Sequence, residues 1–204
     1  MIEREPWKSS VPFEVCIVGA GPVGLALAFR LEEQGISVLL VDAGKRGPGY
    51  SACALGHHHA PLALTTAGGL GGTSSRWGGR CMTFDDIDFL QRPYVPNWGW
   101  PIPHESLKRY YTDAFRFLNV EYSELPRSSR SLGDVHLEAV EWWSAEPDLG
   151  LACRERIERS RLIRFLPDTS AAAIDADETG AVTQIRLVNQ HGEAQVPVHA
   201  LVLS

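Results

Sequence analysis

The stretch Val15-Cys16-Ile17-Val18-Gly19-Ala20-Gly21-Pro22-Val23-Gly24-Leu25-Ala26-Leu27-Ala28-Phe29-Arg30-Leu31 decides the fold, because the character of the chain changes at its glycines. Val15 to Val18 is a short apolar run rich in β-branched residues, the pattern of a buried strand. Gly19 permits the tight turn out of that strand. Gly21 puts no side chain between the backbone and a pyrophosphate, and Gly24 lets the next helix lie close to the strand. Pro22 suits the first helical position, where its missing N–H costs nothing. Val23, Leu27 and Leu31 predict a buried stripe, Ala28 keeps the strand-facing side slim, and Gly35 predicts the helix end. Such a helix turns its unpaired N–H groups and the positive end of its dipole toward phosphates. A side chain at Gly21 is expected to collide with the turn as well as with the ligand.

Working outward, Ser37 to Val41 reads as a second strand that ends at Asp42. The distance from the glycines suits a carboxylate that accepts hydrogen bonds from a ribose 2′- and 3′-hydroxyl, and its charge disfavours the 2′-phosphate of NADP. A bare glycine match with a surface aspartate is the bland alternative. Strand, glycines, helix, second strand and acid in that order argue against it.

The segment after Asp42 separates two dinucleotides. An NAD-binding unit continues with another helix and a third strand. Here residues 44–103 are instead dominated by Gly, Pro, Ser, His and Trp, with no clear amphipathic helix. A segment that long without regular structure is functional or covers something. Within it lies a second cluster, Gly68-Gly69-Leu70-Gly71-Gly72-Thr73-Ser74-Ser75-Arg76-Trp77-Gly78-Gly79. Its glycines allow close backbone approach to a ligand, and Thr73, Ser74 and Ser75 add hydroxyls. The expectation is a loop along an extended cofactor, FAD rather than NAD, held from the side opposite the first glycine turn.

The 204-residue chain has ordinary apolar content and a net charge of −6, with no basic stripe, which argues against nucleic-acid binding. Arg154, Arg156, Arg159, Arg161 and Arg164 alternate with Glu155 and Glu158 and read as a solvated helix face. No apolar run is long enough to span a membrane, and Met1 to Ser10 lacks the apolar core of a signal peptide, so a cytoplasmic location is the default expectation. Cys16, Cys53, Cys81 and Cys153 have no CxxC spacing and read as reduced thiols. His57-His58-His59 reads as a polar loop rather than a metal site, and no metal ligand set is expected.

With these motifs in hand, the chain resembles the glucose–methanol–choline oxidoreductases, flavoproteins, and within them the bacterial sugar and polyol dehydrogenase branch and pyranose-oxidase-like members. The resemblance rests on Gly19-Ala20-Gly21-Pro22-Val23-Gly24 through Asp42-Ala43-Gly44, on Gly71-Gly72-Thr73-Ser74-Ser75-Arg76-Trp77-Gly78-Gly79, and on Asp88-Phe89 running to Gly99-Trp100-Pro101-Ile102 and the helix with Leu107, Tyr110 and Tyr111. It covers residues 13–204, more loosely over 127–161.

The resemblance implies an α/β, Rossmann-like FAD-binding fold, incomplete here, with a long glycine-rich cofactor loop and a small β-element. Gly19, Gly21 and Gly24 then contact the FAD pyrophosphate, and Asp42 holds the adenosine ribose. Gly71, Gly72, Thr73, Ser74, Trp77, Gly78 and Gly79 run beside the flavin. Some members carry a histidine immediately before this tryptophan and bond it covalently to the flavin. Arg76 stands there in this sequence, so non-covalent FAD is expected, with the guanidinium offered to a phosphate or a flavin carbonyl, or else simply exposed. The implied reaction is oxidation of a sugar, polyol or other small alcohol by hydride transfer to flavin, with the electron acceptor unspecified. The family's histidine base and substrate domain follow a glycine-rich turn beyond the strand His199–Leu203. The sequence is therefore expected to be the N-terminal part of such an enzyme, inactive alone, and it offers no catalytic residue.

The remaining segments have structural readings. Residues 103–118 predict one helix with Leu107, Tyr110, Tyr111, Ala114 and Leu118 on its buried face. Trp98, Trp100, Trp142 and Trp143 read as packing groups before they read as a sugar site. Residues 181–188 and 195–203 predict a hairpin about Asn189-Gln190-His191-Gly192, which in relatives leads back into the FAD sheet, and Ala172 to Ile174 touch the adenine there. Two other classes stay open: an NAD-dependent dehydrogenase, which requires a continuing βαβ pattern after Asp42, and a non-catalytic nucleotide-binding protein, which requires a folded, self-sufficient chain.

Overall fold

The computed structural model describes residues 12–44, 61–94, 99–121, 130–133, 135–137 and 141–204. His57 to His59, Cys53, Trp98 and Met1 to Ser10 lie outside them. The chain divides into two compact units, residues 1–77 with 148–204, and residues 78–147.

The first unit is built on a six-stranded sheet. Its strands are β1 (Phe13–Val18), β2 (Val38–Val41), β7 (Ile163–Leu166), β8 (Ser170–Ala176), β9 (Val182–Asn189) and β10 (Gly192–Leu203), in the spatial order β7-β2-β1-β10-β9-β8. The short strands β3 to β6 belong to the second unit. β7, β2, β1 and the second half of β10 run parallel, with Val15 opposite both Val38 and Ala200. The first half of β10 pairs antiparallel with β9, and β9 with β8. Pro197 marks the change of partner: it is the last residue of β10 opposite β9, and Val198 is the first opposite β1. Proline cannot donate to a ladder, so the strand switches neighbours where one bond is already forgone.

All four residues of β2 are buried, which explains its unbroken apolar sequence, since a parallel strand is covered on both faces. On one face Cys16, Leu39, Val41 and Leu166 join Ile185, Leu187, Val196 and Val198 in a single core. Alternation sends Ile17, Val38, Leu40, Ile163 and Phe165 to the other face, where they are buried too. There α1 (Pro22–Glu33) packs against β1, β2 and β7, and α7 (Arg154–Arg159) packs against β7. Each such aliphatic side chain contributes roughly 1.5–3 kcal/mol when fully buried.

Helix α1 opens with Pro22 in its first turn and is closed by Gln34 and Gly35, as the sequence predicts. Its buried residues are Gly24, Leu25, Ala28 and Phe29, while Val23 is exposed. The predicted stripe of Val23, Leu27 and Leu31 is therefore turned away from the core by about one residue. The small residues at 24 and 28 set that rotation, because only they let the helix backbone approach the sheet.

The arginine-rich segment is only partly a solvated face. Arg154 and Arg159 pair along α7 with Glu158 and Glu155. Arg156 instead reaches α1, where it meets Glu32 at 2.9 Å and Glu33 at 3.3 Å and lies 3.9 Å above the Phe29 ring.

In the second unit, β3 (Arg80–Cys81) pairs with β6 (Trp142–Trp143), and β4 (Arg130–Leu132) pairs with β5 (Val135–Leu137). The single helix predicted over 103–118 is two, α4 (Glu105–Lys108) and α5 (Tyr111–Phe117). The break rotates the second piece. Phe115, not Ala114, becomes its buried residue and meets Trp142 edge-on at 5.1 Å, while Tyr110 is exposed. The Asp88-Phe89…Trp100 motif builds a small aromatic cluster beside α3 (Asp86–Phe89). Phe89 stacks on His104 at 4.8 Å and touches Trp100 at 5.5 Å, and His104 is held between Asp86 at 2.6 Å and Tyr111 at 3.1 Å. Two further short helices, α2 (Leu62–Thr65) and α6 (Leu149–Ala152), lie in the first unit.

Candidate cofactor site

β1 delivers Gly19 to the end of the parallel sheet, and α1 leaves from Gly21. The three glycines of the first motif do different work. A Cβ on Gly24 would collide with the Gly19 carbonyl and stand 2.8 Å from the Ser204 hydroxyl, so Gly24 secures the helix–strand approach. Among the described residues a Cβ on Gly21 would meet nothing within 4 Å, and Gly21 has φ −74° and ψ −174°, ordinary for any residue. The expected collision of a Gly21 side chain with the turn is thus corrected: among the described residues the turn has room for it. Gly21, the N-cap of α1, offers no side chain to cap it, and the first turn holds no acidic residue. Its leading N–H groups, which have no intrahelical partner, suit an anion.

The second glycine cluster does not stand across from this turn. Its first part rests directly on it. The Gly71 N–H donates to the Ala20 carbonyl at 2.9 Å, and a Cβ on Gly72 would lie 2.9 Å from the Gly21 Cα. On its other side, a Cβ on Gly71 would lie 2.7 Å from the Gly150 Cα of α6. Both residues have positive φ, 89° and 50°, so glycine is needed twice over. The chain then makes one turn of 3-10 helix, Gly72–Ser75.

Asp42 lies at the end of β2 beside these segments. One carboxylate oxygen accepts the Ala20 N–H at 2.8 Å, and the other accepts the N–H groups of Gly44 and Gly69, each at 2.8 Å. Three of the carboxylate's roughly four lone-pair positions are thus taken, and the one left, on the oxygen that accepts from Ala20, is compatible with a ribose hydroxyl.

The other sequence-predicted residues divide. Thr73 is exposed and Trp77 half-buried. Ser74 is 4% exposed, and its hydroxyl donates to the Gly71 carbonyl at 2.6 Å and accepts the Leu149 N–H at 3.1 Å. That hydroxyl ties the loop to α6. Gly78 and Gly79 belong to the second unit, where a Cβ added at Gly79 would stand 3.0 Å from the Pro147 Cβ. Sequence reasoning missed Ala20, Gly44 and Gly69 as partners of Asp42. Nothing in the composition of the intervening residues signals those contacts.

The thiols are inert by environment. Cys16, Cys81 and Cys153 are free and buried, and burial pushes Cys16 up to about 12 and Cys153 up to about 11. Among the described residues no group of His, Cys, Asp and Glu is placed to hold a metal ion, and no helix is long and apolar enough to cross a membrane.

A parallel sheet, a glycine turn at a helix start and an acid at the end of the neighbouring strand define a dinucleotide-binding domain. The family described as FAD dependent oxidoreductase matches residues 14–155. The chain belongs to that family, and FAD is its cofactor. The residues fit this group: the described residues leave Gly21 open, and the start of α1 carries no acidic residue that would repel a pyrophosphate.

Among solved structures, pyridoxine 4-oxidase from Mesorbium loti aligns over 94% of this chain and 49% of its own, with 15% identity and a TM-score of 0.59. PqsL, a probable FAD-dependent monooxygenase from Pseudomonas aeruginosa, aligns over 94% of this chain and 42% of its own, with 16% identity and a TM-score of 0.50. The chain thus spans about half the length of the solved structures it matches, and at these identities the likeness is one of fold. A search of curated proteins found no match.

Proposed function

We propose that residues 13–204 form the FAD-binding part of a glucose–methanol–choline-type oxidoreductase that oxidises the CH–OH group of a sugar, polyol or other small alcohol. The carrying observation is the junction of the two glycine segments: Gly71 and Gly72 rest on Ala20 and Gly21 while the Gly21 side stays open. That junction makes a cradle for a pyrophosphate from backbone alone. The particular type is supported by the order of the Gly71–Gly79 and Asp88…Ile102 motifs in the sequence. The pyridoxine 4-oxidase similarity, by the name of that protein, is compatible with oxidation as the reaction.

In this reading Gly19, Gly21 and Gly24 shape the pyrophosphate turn, and the N–H groups at the start of α1 face the phosphates. Asp42 accepts from the adenosine ribose. Gly71, Gly72, Thr73 and Trp77 line the cofactor. Bound FAD supplies a hydride acceptor. The protein's part is to hold it without a covalent bond, because Arg76 occupies the position where covalent relatives carry histidine. No residue described here is assigned as the base.

The test is purification of the chain followed by reconstitution with FAD and, separately, NAD. Stoichiometric FAD with negligible NAD supports the reading, and preferential NAD binding sinks it. A dye-coupled assay over sugars, polyols and other alcohols, run on a protein that carries both this FAD-binding part and a substrate-binding part, addresses the substrate. NAD(P)H-driven oxygen uptake without alcohol oxidation would instead favour monooxygenase chemistry.

A further inference from the structure

The geometry points to Asp42 as a positioning residue that assembles the pyrophosphate cradle, apart from any contact it makes with a ribose. Three backbone segments meet on its carboxylate. Ala20 belongs to the first glycine turn, Gly44 to the exit from β2, and Gly69 to the second glycine cluster, and each N–H lies 2.8 Å from a carboxylate oxygen. Ala20 is fully buried, so the carboxylate is what satisfies its N–H. Its carbonyl is taken by the Gly71 N–H at 2.9 Å. The same peptide is therefore gripped on one side by Asp42 and on the other by the second cluster.

The grip has a fixed base. The Asp42 N–H donates to the Leu166 carbonyl at 3.2 Å, and the Asp42 carbonyl accepts the Thr169 N–H at 2.9 Å. The side chain thus projects from a peptide locked at the C-terminal end of the parallel strands. Charge-assisted bonds from N–H to carboxylate are the strong kind, and glycine-rich segments lose the most entropy on ordering. An anionic anchor is suited to holding two such segments together before the cofactor arrives.

This inference rests on the proposed site of the pyrophosphate, and it has a sign that simpler roles lack. A carboxylate near a pyrophosphate repels it, so if charge alone mattered, neutralising Asp42 would tighten pyrophosphate binding. If Asp42 served only the ribose, binding of inorganic pyrophosphate would not change. If Asp42 assembles the cradle, neutralising it weakens that binding.

The experiment uses the whole chain without FAD and the variant Asp42→Asn. Its amide oxygen can keep Gly44 and Gly69, but its NH2 faces the Ala20 N–H, donor against donor. Amide exchange followed by NMR is expected to accelerate about tenfold or more at Ala20, with Ile185 and Leu187 of β9 unchanged as the control for folding. Inorganic pyrophosphate, measured by calorimetry, is expected to bind about fivefold or more weakly. Should Asp42→Asn lose protection at Ile185 and Leu187 as well, Asp42→Glu serves in its place. It keeps the charge, and its longer stem carries the oxygens past the three donors, with the same loss expected at Ala20 and Gly69. Unchanged exchange at Ala20, or pyrophosphate bound equally or more tightly, overturns the inference. A wild-type chain that binds neither pyrophosphate nor FAD removes the cradle role together with the proposed function, while exchange at Ala20 still decides whether the clamp exists.

Discussion

Gly72 backs directly onto Gly21: a methyl group added at Gly72 would stand 2.9 Å from the Gly21 Cα, whereas one added at Gly21 would touch no atom of the described residues within 4 Å. The two glycines therefore differ in what surrounds them. Gly72 is small so that the second cluster can reach the first turn. Gly21 is small where the proposed pyrophosphate would lie.

That asymmetry separates stability from binding. Gly21→Ala is expected to leave stability within about 1 kcal/mol of wild type, since its backbone angles suit alanine. Its affinity for FAD is expected to fall at least about tenfold, or ~1.4 kcal/mol. Gly72→Ala, at φ 50° and against backbone, is expected to cost about 1–3 kcal/mol of stability. Urea unfolding and FAD titration on both variants check this. Equal stability losses in the two would refute the division of labour.

Alkaline pH should destabilise the fold through Cys16. Its thiol is pushed up by burial from an ordinary 9.0 to about 12. The folded state therefore keeps the proton where the unfolded state has lost it. The associated stability is fully present below pH 9 and is lost progressively as pH rises toward 12, by up to roughly 4 kcal/mol. Cys153, raised to about 11, adds to the same slope. Urea midpoints measured from pH 8 to 11 should fall steadily, and less steeply in Cys16→Ala. An identical slope in the variant would show that other groups carry the effect.

Arg156 ties α7 to α1 through Glu32, Glu33 and the face of Phe29. Its side chain is 42% exposed, so the ion pairs are screened and contribute little, and the stacked guanidinium adds about 0.5–1 kcal/mol. Arg156→Ala is expected to cost about 1–2 kcal/mol in thermal or chemical unfolding. Arg156→Lys should recover only part of this, because lysine lacks the planar group that lies on Phe29. Full recovery by lysine would assign the whole effect to charge.

FAD bound to this protein is expected to leave intact on acid or heat denaturation. Arg76 follows the turn Gly72–Ser75 and cannot form a histidyl–flavin bond. The check is flavin fluorescence in supernatant and pellet after precipitation. Flavin retained in the pellet would point to another attachment residue.

The parallel core, the first glycine turn and the hairpin into the sheet were legible in the sequence because each is written in adjacent residues. A strand needs its run of apolar side chains, a helix start needs its glycine and proline, and a hairpin needs its turn. The phase of α1 was less legible. Apolar periodicity favoured Val23, Leu27 and Leu31, but the close approach allowed by Gly24 and Ala28 rotated the helix. The same holds for α4 and α5, where a break between Lys108 and Tyr111 put Phe115 inside.

Thus the sequence by itself determined the class of ligand, since glycines at fixed spacing after a strand leave a backbone that suits phosphate. Only the tertiary structure decided how the site is assembled. The Asp42 carboxylate meets the N–H groups of Ala20 and Gly69, and Gly72 meets Gly21. Those partners are backbone atoms, which every residue carries alike, so no side-chain pattern could announce them. Their pairing follows from where β2 ends in the sheet and from how closely glycine segments can pack.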